Sequence, residues 1–293
     1  MKVAILGCGY VGLALGRTLV GDGHEVVGVR RSTEGTNEIE EAGLTAVRAD
    51  VTDASELAAV PDVDAVVFAA SAGGRGVEAA RRVYVDGLRT VVEQFGTRES
   101  PPERLMYTSS TGVYGDHDGD WVDETTPLEP VNDKTAALID AEEAAFEARV
   151  YGIDPTVVRF GGIYGPGRHR IDRYLEGPVT AGWLNLVHRE DAAGIVAFLL
   201  ETDRGRDEVV VAVDDEPVDR HELADWLAGY RGVEPLPKQS VEERLAEEEL
   251  SEAAARRIRA DKRCSNARLR EMGYEFVYPT FREGYGELVD ERA

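Results

Sequence analysis

The sequence predicts an α/β protein: a doubly wound parallel sheet followed by a small C-terminal α/β region. Three observations point there. Short apolar, β-branched runs alternate with helical stretches through the first half. A glycine-rich turn lies between the first such run and the first helix. The 293 residues suffice for one large domain or two small ones around a buried core.

Buried strands are expected at 3–6, 25–29, 65–70 and 105–110, with a weaker one at 45–50. Helices are expected between them at 12–21, 36–42, 54–60 and 76–96. Beyond lie a long helix at 135–151 and a strand from Pro155 that runs into the loop GGIYGPG. A helix at 191–201 follows, with Asp191 as its N-cap. Then come a strand at 208–213, a helix at 220–229, a linker at 234–240 and a charged, solvated helix at 242–259.

The net charge is −23, and only four basic residues are lysines (Lys2, Lys134, Lys238 and Lys262), so 29 of the 33 are arginines. So acidic a surface repels nucleic acid and anionic membranes, and neither is expected as a partner. Acidity with few lysines also suits concentrated salt, where screening removes self-repulsion, so a halophilic source is expected. Cys8 and Cys264 are far apart and form neither a disulfide framework nor a metal-ligand pattern. Because residues 3–6 already read as strand, no signal peptide is expected. No apolar run approaches the roughly 18 residues of a membrane helix, so a soluble, cytoplasmic chain is expected.

Gly7-Cys8-Gly9-Tyr10-Val11-Gly12 follows a strand and opens a helix, the context in which G-x-G-x-x-G reads as a dinucleotide cradle. Gly7 permits the tight turn, Gly9 lets a pyrophosphate approach the backbone, and Gly12 lets the helix pack on the strand. The helix N-terminus then offers N–H groups and a positive dipole end. The second strand ends in Val29-Arg30-Arg31-Ser32. An acid at this place bonds the ribose 2′-hydroxyl of NAD; two guanidiniums suit a 2′-phosphate by charge and fork geometry. NADP(H) is therefore the expected cofactor, with NAD(H) the lesser one. Asp50 and Val51 follow the third strand and meet the adenine; Ala69, Ala70 and Ser71 end the fourth, and Thr108 and Ser109 the fifth, to line the cofactor.

The segments AILGCGYVG, ADVTD, YVDGLRTVVE, YTSSTGVYGD, VVRFGGIYGPGR, VHREDAAGIV and SNARLREMGYEFVYPTFREGYGEL, in that order over nearly the whole chain, resemble the extended short-chain dehydrogenase/reductase superfamily. Its members include nucleotide-sugar epimerases and dehydratases. The resemblance implies a Rossmann-like domain at 1–165, completed by 186–213, and a substrate-binding region at 166–185 and 214–293. It also implies a small-molecule substrate and a homodimer joined through the helices at 76–96 and 135–151.

The departures are as informative. Leu6 stands where extended members carry the first of three glycines. Ser110, four residues before Tyr114, matches the superfamily's catalytic serine, but the Tyr-x-x-x-Lys expected after it is absent. Counting from Ser110 places that pair at Thr135 and Ile139; aligning on Pro130 places it at Val131 and Thr135. No lysine of the chain has a tyrosine four residues before it. The chain thus resembles an atypical subgroup often described only as NAD-dependent epimerase/dehydratase family proteins. Without a general acid–base group, which contributes about 10²–10⁴-fold, carbonyl reduction needs another residue. Tyr114 is the nearest phenol in sequence, while Lys134 lies one helix step, about 100°, off a motif position. His117 reads as a turn residue and His188 as structural. Arg168 and His169, after GPG, and Arg282 are the candidates for holding an anionic substrate group.

The charge balance predicts that the thermal midpoint of the chain rises as KCl is added. A midpoint already maximal in dilute buffer would count against the salt-adapted reading.

Overall fold

The computed structural model describes residues 1–73, 76–169, 171–175, 177–247 and 250–290. Arg170 and residues 248–249 of the expected 242–259 helix lie outside the described residues. The chain divides into two compact units. The first comprises Met1–Ser110, Asp133–Arg159 and Ala192–Val210; the second comprises Thr111–Asn132, Phe160–Asp191 and Val211–Ala293.

The first unit is built on β1 (Lys2–Leu6), α1 (Tyr10–Gly21), β2 (Glu25–Arg30), α2 (Thr33–Glu41), β3 (Thr45–Arg48), α3 (Ala54–Leu57) and β4 (Ala65–Phe68). There follow α4 (Val77–Ala80), α5 (Leu88–Gly96), β5 (Arg104–Ser110), α6 (Asp133–Phe146), β6 (Asp154–Phe160), α7 (Arg189–Glu201) and β7 (Glu208–Ala212). The seven strands form one sheet in the order β7-β6-β5-β4-β1-β2-β3. The pairings of β1 with β2 and β4, of β2 with β3, and of β4 with β5 are parallel. Residues Val3–Leu6 and all of β4 are buried, as strands covered on both faces must be. The Rossmann-like, doubly wound parallel sheet and the additional C-terminal α/β elements stand as the alternation of strands and helices predicts.

Several boundaries differ from those expected, each for a local reason. Helix α2 starts at Thr33 rather than 36 because the Ser32 hydroxyl accepts the Gly35 N–H at 3.1 Å and caps it. The stretch at 76–96 is not one α-helix: a seven-residue π-helix, Arg81–Gly87, joins α4 to α5. Helix α6 begins at Asp133 and ends in a 3₁₀ turn at Glu147–Tyr151.

In the second unit Asp191 is not the N-cap of α7. The helix already starts at Arg189, where His188 Nδ1 accepts the Glu190 N–H at 3.3 Å. The Asp191 carboxylate instead accepts the Val277 and Tyr278 N–H groups, each at 2.8 Å, and the Tyr274 hydroxyl at 3.0 Å. The charged helix at 242–259 is two helices, Val241–Glu247 and Glu252–Arg259, the latter capped by the Ser251 hydroxyl. The stretch at 234–240 is not wholly linker, since Lys238–Gln239 pairs in parallel with Val179–Thr180.

The second unit has its own core, which includes Tyr164, Leu186, Leu223, Leu227, Phe281 and Tyr285, with the rings of Tyr164 and Tyr285 stacked at 4.6 Å. Asp214 is 1% exposed, and one of its carboxylate oxygens has no hydrogen-bond partner among the described residues. Burial raises this carboxyl well above its ordinary value of 3.8.

A raised folded-state pKa contributes stability below the ordinary carboxylate range, and that stability is lost as pH climbs towards the folded-state value. Asp214→Asn should therefore be more stable than the wild type in alkaline buffer and lose that advantage at acidic pH. Urea midpoints at both ends of the range check this; equal midpoint differences would refute it.

Candidate functional site

The first unit carries a cavity of about 590 Å³ at the C-terminal ends of β1, β2 and β3. Its floor is the glycine loop. The N–H groups of Gly7 and Cys8 both donate to the Val29 carbonyl, at 3.0 and 3.1 Å, which ties the loop to the end of β2. Gly7 has φ +87°, and a Cβ there would stand 2.3 Å from Ala70 Cα. Only glycine fits. A Cβ on Gly12 would stand 3.0 Å from Ile5 Cγ2, the close helix-on-strand contact that the motif predicts. Helix α1 has no acidic residue in its first turn and no side-chain cap on Gly9, so the chain itself does not neutralise the positive end of its dipole.

Among the expected cofactor residues, Gly7, Gly9, Tyr10, Arg30, Arg31, Asp50, Val51, Ala70 and Ser71 line this cavity. Cys8 does not. It is fully buried against Gly28 and Ile39's neighbourhood beneath the loop, and burial pushes its thiol up to about 12, so it is an inert packing residue. Val11, Gly12 and Ala69 support the lining without being part of it. Ser32 is spent on capping α2. Thr108 donates to the Phe68 carbonyl at 3.2 Å, which stitches β5 to β4.

The two arginines differ. Arg30 Nη1 donates to the Cys8 carbonyl at 3.2 Å and to Glu38 Oε2 at 3.3 Å, so it braces the glycine loop against α2. Arg31 is exposed, makes no hydrogen bond or ion pair among the described residues, and reaches towards Gly73. Burial raises the Asp50 carboxyl, but bonds from the Thr52 N–H and hydroxyl and the charges of Arg31 and Arg82 outweigh it and hold the group below its ordinary range. Asp50 is thus a fixed negative charge at the cavity wall.

Some lining residues escape sequence reasoning: Leu13, Val29, Glu38, Ala49, Gly73 and Val83. Val83 is delivered by the π-helix, which also aims the Arg82 guanidinium at the Thr52 hydroxyl (3.4 Å) and the Tyr84 hydroxyl at the Ala72 N–H (3.4 Å). A wide turn placed beside a cavity is a recurrent use of π geometry.

The catalytic and substrate-binding candidates are divided between the two units. Ser110 ends β5 and is half-buried. Its neighbour Ser109 is buried and donates to Glu142 Oε1 at 2.6 Å; the same carboxylate receives Arg159 Nη2 at 2.6 Å and Nε at 3.0 Å. Helix α6, where the superfamily's Tyr and Lys would lie, therefore meets β5 through the Ser109–Glu142 hydrogen bond and β6 through the buried Glu142–Arg159 ion pair. Lys134 is exposed on that helix. In the second unit Tyr114 is fully buried in a 3₁₀ turn, and its carbonyl accepts His117 Nε2 at 3.0 Å. Arg168 is exposed. His169 is buried, with Nδ1 accepting the Ile171 N–H and its carbonyl accepting the Tyr285 hydroxyl. Arg282 is engaged by Glu216 and Glu222 over the Phe281 ring, so carboxylates of the chain already occupy its guanidinium. Burial lowers His188 to about 4 and keeps its imidazole neutral at physiological pH.

Residues 3–212 match the model of the NAD dependent epimerase/dehydratase family. The chain belongs to that family. It is 29% identical to the Escherichia coli K12 protein YeeZ over 288 residues, 95% of this chain and 96% of that one. A solved structure from Methylobacillus flagellatus is 31% identical, with 100% of this chain and 99% of that one covered at a TM-score of 0.78. A conserved protein of unknown function from Silicibacter pomeroyi is 26% identical, with 99% of each chain covered at the same TM-score.

The cavity fits a dinucleotide of the kind family members hold. It has a glycine floor without side chains, an uncompensated helix N-terminus and cations beside the end of β2. Gly7→Ala should destabilise the fold by roughly 1–3 kcal/mol from overpacking against Ala70, with about 1–2 kcal/mol more from the left-handed backbone. Gly9→Ala, whose Cβ would meet only Arg30 Nη1 at 3.5 Å, should fold normally and lose dinucleotide affinity. Denaturant titration and calorimetry separate the two; equal stability losses would show that the loop packs without serving a ligand.

Proposed function

We propose that this chain is an NADP(H)-preferring oxidoreductase or epimerase, acting on a small anionic or sugar-like substrate without the usual Tyr-x-x-x-Lys. The observation that carries the cofactor half is Arg31, an exposed guanidinium at the rim of the glycine-floored cavity that makes no hydrogen bond or ion pair among the described residues. In this reading Arg31 takes the 2′-phosphate, Arg30 holds the loop that receives the pyrophosphate, and Asp50 with Val51 faces the adenine. Ala70 and Ser71 line the far wall. The bound nicotinamide would supply hydride transfer. In this reading the chain's own contribution is to bind and orient, with the Ser110 hydroxyl hydrogen-bonding a substrate oxygen.

A second reading has its own support. The Tyr and Lys are missing, and Ser109 is locked onto Glu142. These features fit a non-catalytic sensor of NADP(H) or a protein-interaction module. Both readings place the protein in the cytoplasm, as two buried, free cysteines suit a reducing compartment. Among the described residues no helix is long and apolar enough to cross a membrane. The acidic charge leaves the salt-adapted reading in place as part of this proposal.

Calorimetric titration of NADPH and NADH in KCl buffer tests the proposal. NADPH should bind more tightly than NADH. Arg31→Ala should weaken NADPH about tenfold or more, the loss expected for a charge-assisted hydrogen bond, and leave NADH nearly unchanged. Equal losses for the two dinucleotides would remove the 2′-phosphate assignment. Turnover of any carbonyl substrate that is abolished by Ser110→Ala favours the enzyme over the sensor.

A further inference from the structure

Four charged side chains line the cavity of the first unit, and they balance: Arg30 and Arg31 against Glu38 and Asp50. A wall built only to receive a 2′-phosphate has no use for two acids, because like charges brought together oppose binding. Each acid needs a reason to be there. Asp50 is held by its own turn, where its Oδ1 accepts the Thr52 N–H at 2.9 Å and the Thr52 hydroxyl at 2.8 Å. Glu38 is not held in that way. It is exposed, and the one polar contact of its side chain among the described residues is Oε2 accepting from Arg30 Nη1 at 3.3 Å. Its Oε1 is uncommitted among the described residues.

The packing of Arg30 explains how this carboxylate reaches the cavity. Gly35 stands three residues before Glu38, on the same side of α2. Arg30 lies over Gly35: a Cβ there would stand 2.7 Å from Arg30 Nε and 2.9 Å from Arg30 Cβ. On the other side, a Cβ on Gly9 would stand 3.5 Å from Arg30 Nη1. The guanidinium thus fills the space between the glycine loop and α2, with Nη1 shared by the Cys8 carbonyl and Glu38. Arg30 therefore comes to the cavity with its charge already answered. Glu38 comes with it, to the wall beside the end of β2, where the sequence carries Arg30-Arg31 in place of an acid.

Dinucleotide sites discriminate at this place by the sign of the charge. A carboxylate accepts a ribose hydroxyl and repels a phosphate on the same ribose, and a guanidinium does the reverse. We propose that Glu38 is a cofactor-specificity residue of this chain. It supplies from α2 the acid that β2 lacks, accepts a ribose hydroxyl of NAD(H), and opposes the 2′-phosphate that Arg31 attracts. The inference rests on the dinucleotide reading of the cavity. It makes the preference for NADP(H) a difference between Arg31 and Glu38, and it keeps NAD(H) as a working second cofactor. The exposure of Glu38 suits this role. An exposed pair with Arg30 contributes little to stability, so the carboxylate is free to exchange partners.

The test is calorimetric titration of NADPH and NADH into the full chain carrying Glu38→Gln. The glutamine amide oxygen still accepts from Arg30, so the loop stays braced. NADPH should bind more tightly than to the wild type and NADH more weakly, and the ratio of the two affinities should rise about tenfold or more. Glu40→Gln removes the same charge about 200° round the helix and outside the cavity lining, and should leave the ratio unchanged. A ratio unmoved by Glu38→Gln, or moved equally by Glu40→Gln, overturns the role of Glu38. An NADH affinity that does not fall overturns the ribose contact. In each of these cases the 2′-phosphate assignment still stands or falls on Arg31→Ala alone. A wild type that binds neither dinucleotide overturns both readings.

Discussion

The first unit depends on the absence of a side chain at Gly7. Its N–H holds the end of β2, and its Cα lies so near Ala70 that no other residue could stand there. One residue thus fixes the relation of three adjacent strand ends. Once the loop is held there, α1 must leave with its N-terminus over the cavity, and Arg30 can brace the loop from the far side through the Cys8 carbonyl. The phosphate cradle follows from packing: the same bare backbone that permits the close approach leaves room for a ligand above it.

Charge is the second constraint. With 56 acids against 33 bases, a cation of this chain finds a carboxylate easily. Arg159 does so in the core, Arg282 does so twice, and Arg270 pairs with Asp215. Against that background a guanidinium at the rim of a cavity that makes no ion pair among the described residues is informative. Arg31 is of this kind, and a Cβ on Gly73 would stand 3.1 Å from its Nη2.

Much of this architecture was legible in the sequence, because its determinants are local. The strand, glycine turn and helix at the N-terminus are contiguous, and so are the two arginines that end β2. Period-two and period-3.6 patterns carry over short windows, and they located the sheet. What stayed hidden depends on tertiary placement. Glu38 reaches the cavity because it faces back from α2, and Gly73 because a loop folds over. The Ser109–Glu142–Arg159 contact joins three segments with no shared motif. Asp191 looked like a cap because capping is a sequence-local habit of Asp, yet its partners are more than 80 residues away. The sequence implies one continuous helix at 242–259 because charge and alanine content do not reveal where a serine caps a new start.

The π-helix at Arg81–Gly87 has a consequence for how this family can vary. A π-turn holds one residue more than an α-turn of the same rise. It is therefore a place where chain length can change by one without shifting both ends of the surrounding helix. Removing a residue elsewhere in α5 would rotate every buried position after it by about 100° and expose Val91, Val92 and Phe95 in turn. Removing one from the π-turn would let the segment relax to α geometry, keep that buried face in register, and withdraw Val83 from the cavity wall. Relatives that differ here by a single residue would share this fold and differ in the shape of their cleft.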